Sequence, residues 1–256
     1  MAGRTALRFS KVFYAGYDLT GYARDWGEIG TEAEEVDMTT IGDAVGGALA
    51  GKFKSFAGPV NGVLDNTAVV GAHTILATLT DTKQIITVGL GDRAALAQGD
   101  VCFNAEPWQN SYRGVEEAGA VNYNLTLSPE AITAASLQKQ TGWGLILNAN
   151  AARTGVNAAS GVDHPTQAAT AFGGTLVYQV TAGNGTATLS VDDSADNAAF
   201  AALSGATSGS INCAVVSAGV VAISRTATVR RYLRWQIVFG TATTVTFVTA
   251  FCRNYF

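Results

Sequence analysis

From Thr175 to its end the chain repeats one texture: a short segment rich in Val, Ile, Thr and aromatic residues, then a turn. The segments are Thr175–Thr181, Thr186–Val191, Ile211–Val216, Gly219–Ile223, Arg230–Phe239 and Thr243–Phe251. Runs of this kind are strands, and Gly183-Asn184-Gly185 reads as the hairpin turn between the first two. Many short strands closed by turns predict a jelly-roll-like β-sandwich. The same texture extends to the composition. Charged residues are only 14% of the 256, against the usual quarter, so much of the surface is Thr, Ser and Asn. Low charge suits a subunit that buries itself in an assembly; an extracellular β module is the plainer alternative.

The first half reads differently. Strands are expected at Leu7–Tyr14, Gln84–Gly89, Asp100–Trp108 and Ala120–Leu127. One helix is expected over Asp65–Thr80, capped by Asp65 or Asn66, with Val69, Ala72, Ile75, Leu76 and Leu79 on one face. Residues 42–62 hold Gly42, Gly46, Gly47, Gly51, Gly58 and Gly62 around Lys52, Phe53, Lys54 and Phe56. This segment reads as a loop that orders only against a neighbour, because glycine raises the cost of fixing a backbone. The texture changes after Ser128-Pro129, and residues 150–174 read as a long loop. The organisation is therefore a β domain over 1–135 and a second sandwich over 136–256, with no internal repeat.

Charge separates the halves. Residues 1–130 carry nine Lys/Arg against sixteen Asp/Glu, and residues 131–256 carry seven against four, giving −4 overall. The acid concentrates after a tight turn, Gly16-Tyr17-Asp18-Leu19-Thr20-Gly21-Tyr22. There a strand carries Glu28, Glu32, Glu34, Glu35 and Asp37, with Asp25 at its start and no basic residue between Arg24 and Lys52. A parity slip at Glu34-Glu35 fits a β-bulge. Like charges along one strand destabilise it unless compensated. With no compensation nearby, the strand is expected to face water or something that must not adhere to it, as on an assembly surface or in a lumen. Neither half has the dense Lys/Arg stripe of a protein that grips nucleic acid.

No enzyme is predicted. The two histidines, His73 in the candidate helix and His164 before Pro165, stand beside no nucleophile elbow or carboxylate pattern. Asp192, Asp193 and Asp196 form the one cluster with calcium-type oxygens; a capped turn accounts for it more simply, and no metal or cofactor is expected. Gly89-Leu90-Gly91 lacks the third glycine of a dinucleotide site. Cys102, Cys213 and Cys252 are widely spaced among apolar residues and read as buried free thiols. The start, Met-Ala-Gly-Arg-Thr, has no signal-peptide run, and no apolar run reaches a membrane span. In Arg230-Arg231-Tyr232-Leu233-Arg234-Trp235, a strand buries Leu233 and Trp235 and leaves Arg230, Arg231 and Arg234 near the surface. Those arginines are solvated, or they meet a sugar, a phosphate or an acidic neighbour.

Together these motifs resemble the major tail tube proteins of long-tailed, non-contractile bacteriophages. The resemblance rests on Gly16–Tyr22, Glu32–Asp37 and Thr39–Asp43 in the first half. In the second it rests on Thr188–Val191, Ser194–Asn197, Arg231–Arg234 and Val245–Phe247; residues 66–170 are largely unmatched. The loop 44–58 departs from the family, with Ala-Val-Gly-Gly-Ala-Leu-Ala where polar and basic residues are usual. The resemblance implies a tail-tube-type β-sandwich or barrel with a flanking helix, six copies per ring and rings stacked into a tube in the virion tail, made in the host cytoplasm. It implies partners inside the tube: a tape-measure protein first, then double-stranded DNA that passes without tight binding. On that reading Glu28, Glu32, Glu34, Glu35 and Asp37 line the lumen. Gly46, Gly47, Lys52, Phe53 and Phe56 belong to the ring-stacking loop, and the arginines of 230–234 lie on an outer domain. A decoration or carbohydrate-binding module acting through the second sandwich is the alternative.

Overall fold

The computed structural model describes residues 9–38, 48–67, 71–77, 83–91, 95–117, 119–128, 130–131, 141–156, 161–164 and 169–254. The first half supplies β1 (Ser10–Tyr14), β2 (Tyr17–Asp18), β3 (Ala23–Trp26), β4 (Ile29–Asp37), β5 (Ala48–Ala57) and β6 (Val60–Val63). A short helix α1 (Ala72–Leu76) precedes β7 (Ile86–Leu90), β8 (Val101–Ala105), β9 (Trp108–Glu117), β10 (Ala120–Ser128) and β11 (Glu130–Ala131). The second half begins with β12 (Trp143–Arg153), β13 (Val162–Asp163), β14 (Ala169–Thr170), β15 (Gly174–Gly183) and β16 (Thr186–Ser194). It ends with β17 (Ala201–Asn212), β18 (Ser217–Ile223), β19 (Val229–Arg230), β20 (Tyr232–Phe239) and β21 (Val245–Arg253). The protein is mainly β, built from antiparallel sheets.

One eight-stranded sheet runs through both halves in the order β18-β15-β21-β12-β8-β7-β1-β2. The halves join where β8 pairs with β12, Trp143 opposite Phe103 and Leu145 opposite Val101. Because partners across a sheet share a face, the register carries one face from Phe103 through Leu145 to Phe251. Two smaller sheets pack on that face. The sheet β3-β6-β10-β9 closes a core of Val12, Tyr14, Ile86, Val88, Phe103, Tyr123 and Leu125. The sheet β13-β20-β16-β17 closes a second core of Leu147, Leu176, Leu189, Val191, Leu233, Trp235, Phe247 and Phe251. Leu233 and Trp235 are buried, at 0% and 3% exposure, on the face that the period of two assigned them.

The reverse face of the large sheet has its own cluster, Phe13, Leu96, Cys102, Ile146, Val248 and Ala250. The sheet curls around this cluster until its ends meet. Gln179 of β15 accepts a hydrogen bond from the Gly16 amide (2.9 Å) and donates to Thr87 Oγ1 (2.8 Å). Gly16, at φ +88°, lies so close to β18 that a Cβ there would stand 2.7 Å from the Ser217 nitrogen. The meeting is made by a turn and side chains, not by strand pairing, so the barrel is not closed. Inside the curl, Thr87 donates to Asn104 Oδ1 (2.9 Å), and Asn104 Nδ2 donates to the sulfurs of Cys102 (3.3 Å) and Cys252 (3.4 Å). Buried amides and hydroxyls are costly when unpaired, and this chain of bonds satisfies them across both halves.

Several expectations are corrected. The helix is only Ala72–Leu76, begun after Gly71 without a side-chain cap. Asp65 instead turns its carboxylate to the Thr67 amide (2.7 Å) and hydroxyl (2.6 Å), a local turn that competes with helix entry. Residues 48–57 and 60–63, read as glycine-rich loop, are strands β5 and β6. Gly183–Gly185 is no hairpin turn. It carries the chain from the large sheet, where β15 pairs with β18 and β21, to the smaller one, where β16 pairs with β17 and β20. Within 150–174, β12 extends to Arg153 and β13 and β14 follow. Strand β17 ends at Asn212, and Cys213 turns back to donate its amide to Gly185 (2.8 Å).

Candidate functional site: the acidic arm and the arginine face

Strands β3 and β6 pair inside the N-terminal sandwich, and their continuations β4 and β5 pair beyond it as part of a separate three-stranded sheet, β11-β5-β4. The ribbon passes from one sheet to the other at two glycines. Gly27 donates to Pro59 O (2.7 Å) and Gly58 to Glu28 O (2.9 Å), and a Cβ on Gly27 would sit 2.4 Å from Gly58 O. The base of this arm is anchored. Ile29 and Ala57 pack on the N-terminal core, and Ser55 donates to Thr141 O (2.8 Å). Beyond the base, Thr31, Glu32, Asp37 and Met38 are exposed. At ~3.3 Å per residue the nine residues of β4 reach roughly 30 Å.

Among the described residues β4 pairs with β5 alone and forms the edge of its sheet. It carries Glu32, Glu34, Glu35 and Asp37, and Glu28 is exposed just before it. The register slips between Ala33 and Glu35, so the bulge read from the paired glutamates is present. In the backbone register Lys54 stands directly opposite Glu32, and Phe53 opposite Ala33. Sequence distance hid this, since Lys54 comes opposite Glu32 only through the pairing of β5. Lys52 also lies on β5, leaving five carboxylates against two ammonium groups along the arm. Phe56 is half-buried opposite Gly30, where a Cβ would come within 3.2 Å of its ring. Gly46, Gly47 and the Thr39–Asp43 motif lie outside the described residues.

The arginine face lies on the C-terminal sandwich. Arg231 grips Asp163 through two bonds, Nε to Oδ1 (2.6 Å) and NH2 to Oδ2 (2.8 Å). This pairing holds the Asp163 carboxyl below its ordinary range. Arg234 donates Nε (3.1 Å) and NH2 (3.0 Å) to Asp192 Oδ2 and lies 4.2 Å from the centre of the Phe200 ring. Arg230 is exposed, 3.9 Å from Asp193, which accepts the Arg230 amide at 2.9 Å. Asp196 caps a turn. The amides of Ala199 and Ala198 (both 2.9 Å) and the Ser194 hydroxyl push its pKa down to about 2. The three aspartates thus serve separate partners, and no group of three His, Cys, Asp or Glu suited to a metal occurs among the described residues.

His73 shares a hydrogen bond with Tyr112 (3.1 Å) on the helix face. Burial, and then Arg253, lower the His164 pKa to about 4. Cys102, Cys213 and Cys252 are free and buried; burial raises the Cys252 thiol to about 12 and Cys102 well above its usual value. None has the low pKa and access of a reactive thiol. Among the described residues no helix is long and apolar enough to cross a membrane.

Sequence reading missed one surface feature. Across the outer face of the β3-β6-β10-β9 sheet, Thr126 donates to Asn124 (3.2 Å), Asn124 to Asn61 (2.5 Å) and Asn61 to Asp25 (2.7 Å). Its one local sign is the alternation of Asn122, Asn124 and Thr126; the partner strands are far away in sequence.

No protein-family model matches the chain, and no curated protein matches it. Among solved structures, the chain is similar to the Dit protein of phage SPP1, described as a paradigm of the hub adsorption apparatus in phages that infect Gram-positive bacteria. The identity is 12%, with 95% of this chain and 99% of that chain covered, at a TM-score of 0.34.

Proposed function

We propose that this protein is a structural subunit of a bacteriophage tail, and within the tail a tube subunit that assembles into stacked hexameric rings. The observation that carries the reading is the acidic arm: a nine-residue strand at the edge of its sheet among the described residues, exposed at Thr31, Glu32 and Asp37, net negative, and tethered to a sandwich by two glycine crossings. An unpaired edge is a template for another strand, so copies joined at β4 and its neighbours extend one wall from subunit to subunit. Carboxylates in excess on that wall repel phosphate, so a tape-measure protein and then DNA slide through the lumen without adhering. The family motifs at Gly16–Tyr22 and Arg231–Arg234 support the same reading.

The alternative, a decoration or sugar-binding module working through the C-terminal arginines, gains little from the geometry. Arg231 already holds Asp163 through both carboxylate oxygens, and Arg234 gives two donors to one oxygen of Asp192, which leaves fewer of their donors for a sugar or phosphate. Negative-stain imaging of the purified protein tests the proposal. Rings or tubes with a central channel are expected; a monodisperse monomer or trimer at high protein concentration overturns it.

A further inference from the structure

The outer face of the β3-β6-β10-β9 sheet carries a row of side chains with opposite charges at its two ends. The row reads Asp25, Asn61, Asn124 and Arg113, because each of these stands opposite the next in the register. Residues directly opposite share a face, and the hydrogen bonds from Asn124 to Asn61 (2.5 Å) and from Asn61 to Asp25 (2.7 Å) run along the row. Asp25 and Arg113, at the ends, are both exposed. The next row of the same face reads Val63, Asn122 and Val115, with the valines 39% and 48% exposed. The other face of these strands buries Val60, Tyr123 and Leu125 in the N-terminal core. Arg24, beside Asp25 at the register shift of β3, has no opposite residue in the register and makes interactions of its own.

A row ordered acid, amide, amide, base is complementary to itself. Turn a second copy over about a two-fold axis that runs along the strands between β6 and β10, and the row is reversed. Asp25 of each copy then faces Arg113 of the other, and each Asn61 faces the Asn124 of the other. The same rotation gathers Val63 and Val115 of both copies into one apolar strip beside the charges. Such a contact is isologous and closes at two copies. At ~4.8 Å between strands and ~7 Å between successive residues of one face, the patch measures roughly 15 by 15 Å. That is small for a specific interface and suits a weak, reversible pairing.

We propose that this face is a contact between two copies of the chain, a two-fold pair held by Asp25 against Arg113 at two equivalent places, with Asn61 positioning the Asp25 carboxylate. The contact uses no residue of β4 or β5, so its failure and the failure of the tube reading are separate results.

Sedimentation velocity of the full chain at about 0.1 M salt, where exposed charges are still felt at contact, tests this. The wild-type chain is expected to pass from monomer to dimer with a Kd on the order of 0.1 mM; rings, where they form, sediment far faster and are counted apart. Asp25→Arg and Arg113→Asp each set like charge against like at both contacts, and each is expected to weaken the dimer about tenfold. The decisive sample is the equimolar mixture of these two variants. Pairing one with the other restores opposite charges at both contacts, so the mixture is expected to dimerise to within about threefold of wild type, as is the chain carrying both substitutions. Both positions are exposed, so the variants are expected to melt as the wild type does. A wild-type chain without dimer at about 0.5 mM overturns the proposal. So does a mixture no more associated than its components, or a pair of single variants that dimerise as well as wild type.

Discussion

The two sandwiches share a backing sheet but treat charge in opposite ways. In the C-terminal lobe Asp163, Asp192 and Asp193 lie within ion-pair distance of Arg231, Arg234 and Arg230, and Asp196 is spent on a turn. In the N-terminal lobe Glu28, Glu32 and Asp37 stand exposed on an arm that leaves the body, with Lys54 opposite one of them. Charge neutralised within hydrogen-bond distance serves the lobe that carries it. Charge strung along the exposed arm, with one lysine opposite one glutamate in the register, has no described arginine partner of the kind the C-terminal lobe gives its aspartates. The comparison also separates packing from independence: each lobe has its own core, yet the strands behind both belong to one sheet.

The sharpest way to break that second point is truncation after residue 135. The shortened chain loses β12, the partner of β8, together with Ile146, Val248 and Ala250 from the reverse-face cluster. It is expected to lack a cooperative thermal transition; a folded N-terminal fragment would show the lobes to be independent. Trp235→Ala comes next. The ring is buried, meets Phe247 edge-on at 5.3 Å and lies beneath Arg153 at 5.0 Å, so denaturant unfolding should show a loss of about 3–5 kcal/mol.

Acid should reach the C-terminal lobe through His164. Burial and Arg253 oppose its protonation in the folded state, outweighing the favourable pull of Asp163, and its pKa falls to about 4 from 6.5. Between those values the unfolded chain binds the proton and the folded chain does not. Stability is therefore full above about pH 6.5 and falls as pH drops toward 4, by about 3 kcal/mol in all. His164→Gln should flatten that part of the profile. The smallest effect is expected at the meeting of the sheet's ends: Gln179→Leu strands the Gly16 amide and removes a donor from Thr87, at about 2 kcal/mol.

Strand texture, the bulge in β4 and the burial of Leu233 and Trp235 were legible locally, because a period of two and a parity slip are local signals. The pairing of β8 with β12 was not, since register across 40 residues is set by the core both strands share. Strand β12 hid behind Asn148, Asn150 and a run of alanines, poor strand formers whose place is fixed by Phe247 and Phe251 on the neighbouring strand. Strand β17, with Ala, Ser and Gly throughout, hid for the same reason. Of the arm, the acid was visible and the answering lysine was not. Gly51 and Gly58 made β5 look like a loop, although pairing with β4 holds it extended.

The claim that the arm faces inward while the arginine face looks outward can be measured in assembled particles. Single cysteines placed at Glu32 and Arg230, in a chain whose own thiols are buried, would be challenged with a maleimide on a bulky polymer. Glu32→Cys should be shielded and Arg230→Cys labelled, with both reacting equally in dispersed subunits. Equal labelling of the two in intact particles would contradict the account.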